Sequence, residues 1–285
     1  MIEYEKATLE EYGFKEHKIL KTVFNIFNKV MVVLIILMLY LSIIVIAIQS
    51  VNSSLDVSAF GHFTLKWYGE IFRHSTLKNV IANTFIVSIS ATILATILGT
   101  LIAIGINSLE IKKRQKLILF NNIPLLNADI VTGISLKFVF ALLLPIFPYI
   151  FGYTTLLLAH LFFTLPYVIL SVLPKLKEMD PNMMDAATDL GVKPYKALRL
   201  VIVPSIKAGI FSGMLLAFTM SFDDFVISYF NTGNGFDNLS IWIYGSIGRK
   251  SLTPAVYAFS TLVTIITLLI LITINLLNKK KGVRK

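Results

Sequence analysis

Two adjacent carboxylates, Asp223 and Asp224, stand in SFDDFVISYF (residues 221–230), near the end of a long uncharged stretch. Carboxylates in so apolar a segment are costly unless they face water, a partner or a cation. Two readings are open. In one, the pair caps a helix break at the outer interface or pairs with Arg249 or Lys250. In the other, it is a cation-attracting spot in a pathway, where Tyr229 and nearby rings add cation–π contacts. Successive helical residues point about 100° apart, so only one of the two aspartates is expected to face a lumen. Asp129 is a third acidic residue in an apolar stretch. The rest of the inventory offers no catalysis. His17, His62, His74 and His160 lack ligand spacing, and no Ser/His/Asp set is suggested. The chain has no cysteine, which excludes disulfides and thiolate metal sites. His160 reads as a polar residue facing the inside of a helix bundle. The phosphate-loop pattern G-x-x-x-x-G-K-[ST] does not occur, so no nucleotide is expected to bind here.

A second polar stretch, residues 178–204, separates two strongly apolar segments and is expected to form two short helices outside a membrane. Asp180 suits the N-cap and Pro181 the first helical position. Gly191 ends the first helix, as the residue that most easily turns left-handed. Pro194 opens the second, which runs through Leu200 towards Pro204. Met183, Met184, Ala187 and Leu190 are spaced to gather on one side, a face suited to a groove on another protein or to lipid headgroups.

The elements that position these residues are long and apolar. With 56% hydrophobic and 15% charged residues over 285 positions, the composition fits a membrane protein rather than a soluble domain. Residues 1–29 read as a cytoplasmic tail, partly helical near 19–27. Long apolar runs, in which Asp129, Lys137, Lys207, Asp223 and Asp224 are the charged residues, then predict six transmembrane helices near 30–49, 79–106, 125–145, 153–173, 205–230 and 254–277. Trp67 and Tyr68, in the loop 50–78, are expected at headgroup level. Small residues along the second helix (Ala82, Ser88, Ser90, Ala91, Ala95, Gly99, Ala103 and Gly105) favour close helix packing. With both ends inside, nineteen of the 26 Lys and Arg fall in inner segments and five in outer ones. That asymmetry places the 178–204 loop in the cytoplasm. The +10 net charge therefore reflects topology, and no segment pairs basic residues with aromatics as nucleic-acid binding would require. No domain boundary interrupts residues 30–278, and a basic tail closes the chain at 279–285.

The 178–204 loop resembles the EAA loop of ABC-importer permeases. Asp185-Ala186-Ala187 is followed after three residues by Gly191, and after nine more by Val201-Ile202-Val203-Pro204. Asp replaces the family's Glu at 185, and Val its Ile and Leu at 201 and 203. SFDDFVISYF, IYGSIGRKSLTPAVYAFSTL and the last apolar helix resemble the PotC-type permeases of spermidine/putrescine importers, and Ala128-Asp129-Ile130-Val131 is similar to them too. The resemblance covers about residues 60–278. It implies an all-α, six-helix type I importer permease, with Asp185, Ala186, Ala187, Gly191 and Pro204 docking a cytoplasmic coupling helix onto an ATPase. It implies Asp223, Asp224, Tyr229 and Asp129 as pathway residues. The implied partners are a second, PotB-like permease, two PotA-like ATPase subunits holding ATP and Mg, and an extracytoplasmic PotD-like polyamine-binding protein. The same machinery carrying ferric iron, an anion or an amino acid is the alternative. A stand-alone channel fits the loop less well.

Overall fold

A computed structural model describes residues 18–56, 58–180, 182–233, 235–248 and 253–282. Among these the chain is helical, with no strand and one isolated antiparallel bridge between Asn52 and Phe63. It divides into two compact units, Met1–Phe72 with Thr253–Lys285, and Arg73–Leu252.

In the first unit, α1 (Lys18–Ser50) packs along α13 (Ala255–Gly282). Nothing between residues 18 and 50 is Gly or Pro, so the helix runs unbroken across the expected tail boundary at 29. Its apolar side chains from Val23 to Ile44 are largely exposed, as suits a helix whose surroundings are themselves apolar. The loop after it turns around buried Asn52. The Asn52 amide donates to Gln49 Oε1 (2.9 Å) and Ala59 O (2.8 Å), and its Oδ1 accepts from the N–H groups of Ser54 and Gly61 (both 3.0 Å). Trp67, in α2 (Lys66–Arg73), is buried, and its Nε1 donates to Asn52 O at 2.6 Å. It therefore braces the loop, a buried indole N–H having found its acceptor.

In the second unit, α3 (Ser75–Asn107), α6 (Tyr153–Glu178) and α10 (Lys207–Asp223) pack on one another. Their contact is set by glycine. A Cβ on Gly99 of α3 would lie 2.8 Å from the Val168 side chain. On Gly213 of α10 it would lie 3.0 Å from Val168 Cα, and on Gly209 2.8 Å from Ser171 O. The two helices thus clasp residues 168–171 of α6 at separations that side chains would forbid. Ser88, Ala91, Ala95, Gly99 and Ala103 form the buried stripe of α3, as expected, whereas Ala82 and Gly105 are exposed.

Three expected helices have different shapes. The region 125–145 is a pair, α4 (Ile111–Leu126) and α5 (Asp129–Leu142), bent by 103° where Asn127 and Ala128 take extended conformations. The basic residues 112–116 belong to the start of α4, not to a turn. Around Pro204 the backbone runs through α8 (Pro194–Ala197), a π-helical turn (Leu198–Ile202) and α9 (Val203–Ser205), then bends 74° into α10. A proline has no N–H for the carbonyl four residues back, and the wider turn absorbs the mismatch. Helix 205–230 is interrupted again at Asp224, before α11 (Val226–Asn231). The segment 231–253, expected as a loop, contains α12 (Leu239–Gly248). Among the described residues, three helices are long and apolar enough to cross a membrane, or up to five if each bent pair makes one crossing, and Ala255–Leu269 is a shorter apolar helix.

Gly99→Leu or Gly213→Leu should lower the Tm of the detergent-solubilised protein, an overpacking cost of about 1–3 kcal/mol. Gly105→Leu should leave it unchanged, because a Cβ there meets nothing within 4 Å. Equal Tm values for all three would contradict the glycine-set contact.

Candidate functional site

Both helix interruptions face one cavity of about 330 Å³. Pro124, Leu125 and Asp129 come from either side of the 103° bend, and Thr219 to Ile227 supply the second break. Three carboxylates, Asp129, Asp223 and Asp224, line it together with the rings of Phe163, Tyr167 and Phe225. The volume lies within the range of small-molecule sites. Acid groups beside aromatic faces suit a flexible organic cation.

The two adjacent aspartates are not equivalent. Asp224 is turned inward, and its side chain is 9% exposed. Its Oδ2 accepts from the Ser228 N–H (2.7 Å) and its Oδ1 from the Ile227 N–H (3.3 Å). It thus caps the first turn of α11, whose N–H groups have no helical partners. Asp223, the last residue of α10, is exposed and faces the cavity. The capping reading holds for Asp224, and the pathway reading stays open for Asp223. Pairing with Arg249 or Lys250 lies outside the described residues.

Around Asp224 a buried polar network closes. His160, 1% exposed, makes contacts through Nδ1 with Ser221 Oγ (2.7 Å) and through Nε2 with Ser228 Oγ (2.9 Å). Its Nε2 stands 3.7 Å from Asp224 Oδ2. Asn238 donates to Ser228 Oγ at 2.8 Å. Further along α11, Asn231 donates to Gly133 O (3.1 Å), and Thr155 Oγ1 donates to Asn231 O (2.7 Å). His160 therefore faces the interior, as expected, but its partners were not foreseen. The available signal is the seven-residue spacing of Ser221 and Ser228, which flank the aspartates.

Tyr229 is not on the cavity wall. It lies in an aromatic group with Phe225, Phe230 and Tyr244, centroids 5.5–5.7 Å away. Phe163 and Tyr167, one helical turn apart on α6, occupy the place expected of it.

The 178–204 segment is built as its local chemistry predicts. Asp180 Oδ1 accepts from the Asn182 N–H (2.9 Å) at the start of α7 (Asn182–Asp189). At its end Gly191 has φ +75°, Gly191 N–H bonds to Thr188 O (2.8 Å) and Val192 N–H to Ala187 O (3.1 Å). That is the Schellman pattern. The four residues expected on one side differ in exposure. Ala187 is buried, Met183 and Leu190 are exposed, the latter by 83%, and the side chain of Met184 lies outside the described residues. Tyr195, Leu200 and Pro204 are also exposed, as is Ala186; Pro181 and the side chain of Asp185 lie outside the described residues.

Broken helices around a cavity that holds three carboxylates, in a chain of long apolar helices, are an arrangement known from membrane transport proteins. Residues 117–282, more than half of the chain, match the family of binding-protein-dependent transport system inner membrane components. The chain belongs to that family, an all-α, multi-pass membrane permease subunit. It is 30% identical over 242 residues to the spermidine/putrescine transport system permease protein PotC of Escherichia coli, covering 85% of this chain and 90% of that one. It is 31% identical over 243 residues to PotC of Haemophilus influenzae, covering 85% and 93%. Identity to the putrescine transport system permease protein PotI of Escherichia coli is 32% over 227 residues, covering 79% and 80%.

Asp224→Ala leaves the Ile227 and Ser228 N–H groups unpaired and should destabilise the solubilised protein by about 1–3 kcal/mol. Asp223→Asn, at an exposed position, should stay within about 0.5 kcal/mol of the parent. Thermal unfolding of the two variants side by side checks this. Equal losses would contradict the division between a capping and a free carboxylate.

Proposed function

We propose that this chain is one permease subunit of an ATP-driven polyamine importer and that the acidic cavity lies on the cargo's path. The observation that carries this reading is the convergence of Asp129, Asp223 and Asp224 with Phe163, Tyr167 and Phe225 on one cavity. Spermidine and putrescine are flexible chains of methylenes and ammonium groups. Carboxylates replace the water lost by each ammonium, and aromatic faces cover the methylenes and add cation–π attraction. The same carboxylates would repel an anion, which counts against anionic cargo. Relatives named for spermidine and putrescine transport support the cargo class.

Both chain ends and the 178–204 segment face the cytoplasm in this reading, in accord with the distribution of Lys and Arg. Helix α7 is the coupling helix. Asp185, Ala186, Ala187, Gly191 and Pro204 shape it, and exposed Met183, Leu190 and Tyr195 fill the cleft of one ATPase subunit. Two such PotA-like subunits bind ATP and Mg, a PotB-like permease forms the other half of the pathway, and a PotD-like binding protein delivers cargo from outside. Closure of the ATPase pair moves α7, and the bundle switches from inward-facing to outward-facing. Cargo then enters the cavity and meets Asp223 first, because Asp224 is committed to its cap.

Two variants test the cavity and the docking loop. Asp223→Asn should raise the KM for spermidine uptake about 10-fold or more, the loss of one charged contact, while the complex still co-purifies intact. Unchanged uptake would remove the acidic-pathway reading. Gly191→Val forces a branched side chain into a left-handed conformation at a cost of about 1–2 kcal/mol, although nothing crowds the site. It should uncouple ATP hydrolysis from uptake. Normal coupling in that variant would contradict the docking role.

A further inference from the structure

We propose that His160 is a positioning residue of the cargo site, whose ring brackets the break between α10 and α11 and so sets where Asp223 stands in the cavity. This rests on the reading of the cavity as the cargo site. The two ring nitrogens reach across the break, Nδ1 to Ser221 Oγ before it and Nε2 to Ser228 Oγ after it. A neutral imidazole has one donor and one acceptor, and each hydroxyl can be either, so both contacts form in either tautomer. Beyond the break the chain has other anchors. Asn238 holds Ser228, Thr155 holds the Asn231 carbonyl, and the Asn231 amide holds Gly133 O. Before the break the close packing lies further back, at Gly209, Gly213 and Ala217. Among the described residues, Ser221–His160 is the one side-chain hydrogen bond that ties α10 to another helix, and Phe222 adds a ring contact with Phe85 at 5.1 Å. Asp223 follows Ser221 by two residues and is itself exposed, with no cap to hold it. The orientation of the acidic end of α10 therefore runs through His160.

Size alone does not account for a histidine here. A leucine would fill the same space but leave the buried Ser221 hydroxyl without a partner and Ser228 held by Asn238 alone, with no hydrogen bond spanning the break. A glutamine presents a donor and an acceptor side by side and can restore both contacts.

The chain has no cysteine, so a single thiol reports its own surroundings. The Asp223→Cys variant, assembled with its partner subunits in liposomes, is labelled with a cationic and with a neutral methanethiosulfonate of similar size. Asp129 and Asp224 should favour the cationic reagent. Adding His160→Leu should lower that preference about tenfold, since small displacements at a preorganised site have effects of this order, and His160→Gln should restore it. Gly105→Cys, in open space on α3, serves as the control and should not respond. An unchanged preference with His160→Leu overturns the proposal. If His160→Leu does not assemble, Ser221→Ala removes one contact and is read the same way. In uptake, His160→Leu should raise KM with little change in kcat and add nothing to Asp223→Asn. Additive effects of the two also overturn the proposal. Labelling needs no cargo, so a wrong cargo assignment shows as absent polyamine uptake with the labelling pattern intact.

Discussion

A helix interrupted inside a membrane leaves backbone N–H and C=O groups with neither helical partners nor water, at several kcal/mol each. In this chain the interruption after Asp223 is closed by the neighbouring carboxylate. Asp224 takes the N–H groups of Ile227 and Ser228, and beside it His160 bonds to Ser221 and Ser228, and Asn238 to Ser228. Much of the second unit follows from that closure. The far end of the short helix 226–231 is tied by Asn231, which donates to Gly133 O, and by Thr155, which donates to Asn231 O. It approaches α5 at Gly133, where a Cβ would lie 3.0 Å from the Phe230 ring. One aspartate is consumed by structure, and the other is left free for chemistry.

The close-packed part of the unit is the glycine-set contact of α3, α6 and α10 around Val168. The broken segments are mounted on it, and each break presents an acid at its end, Asp129 after the 103° bend and Asp223 before the second interruption. The polar surface segment belongs to the same stretch of chain. Helix α7 packs on α8 and the π-helical turn, which continue through the 74° bend at Ile206 into α10. The two regions singled out by their chemistry, the 178–204 loop and the acidic cavity, are thus the two ends of one length of backbone.

Features that depend on neighbours in sequence were legible before the structure. The Asp180 cap, the left-handed Gly191 and the long apolar segments are local matters of side-chain chemistry and hydropathy. The family resemblance, carried by the 185–204 spacing and the Asp-Asp segment, led to the family that the match over residues 117–282 shows. The bends were not legible. Neither Asn127–Ala128 nor Ile206 is a glycine or proline, and Pro124 and Pro204 stand inside helices two or three residues earlier. Packing decides where the backbone yields. The roles of Asp223 and Asp224 were hidden for the same reason, since His160 lies 61 and 68 residues from its two serines. Tyr229 looked like a cavity aromatic because it is close in sequence, whereas Phe163 and Tyr167 reach the cavity from another helix.

The central claim is that an ATP-driven machine moves a cargo recognised by its positive charges. Its most direct measurement is uptake of labelled spermidine into liposomes holding the full complex, with ATP and the binding protein omitted in turn. Putrescine and the neutral diol of equal length serve as competitors. The account predicts saturable uptake that needs both ATP and the binding protein, and that putrescine suppresses while the diol does not. Uptake indifferent to ATP, or suppressed equally by the diol, would contradict it.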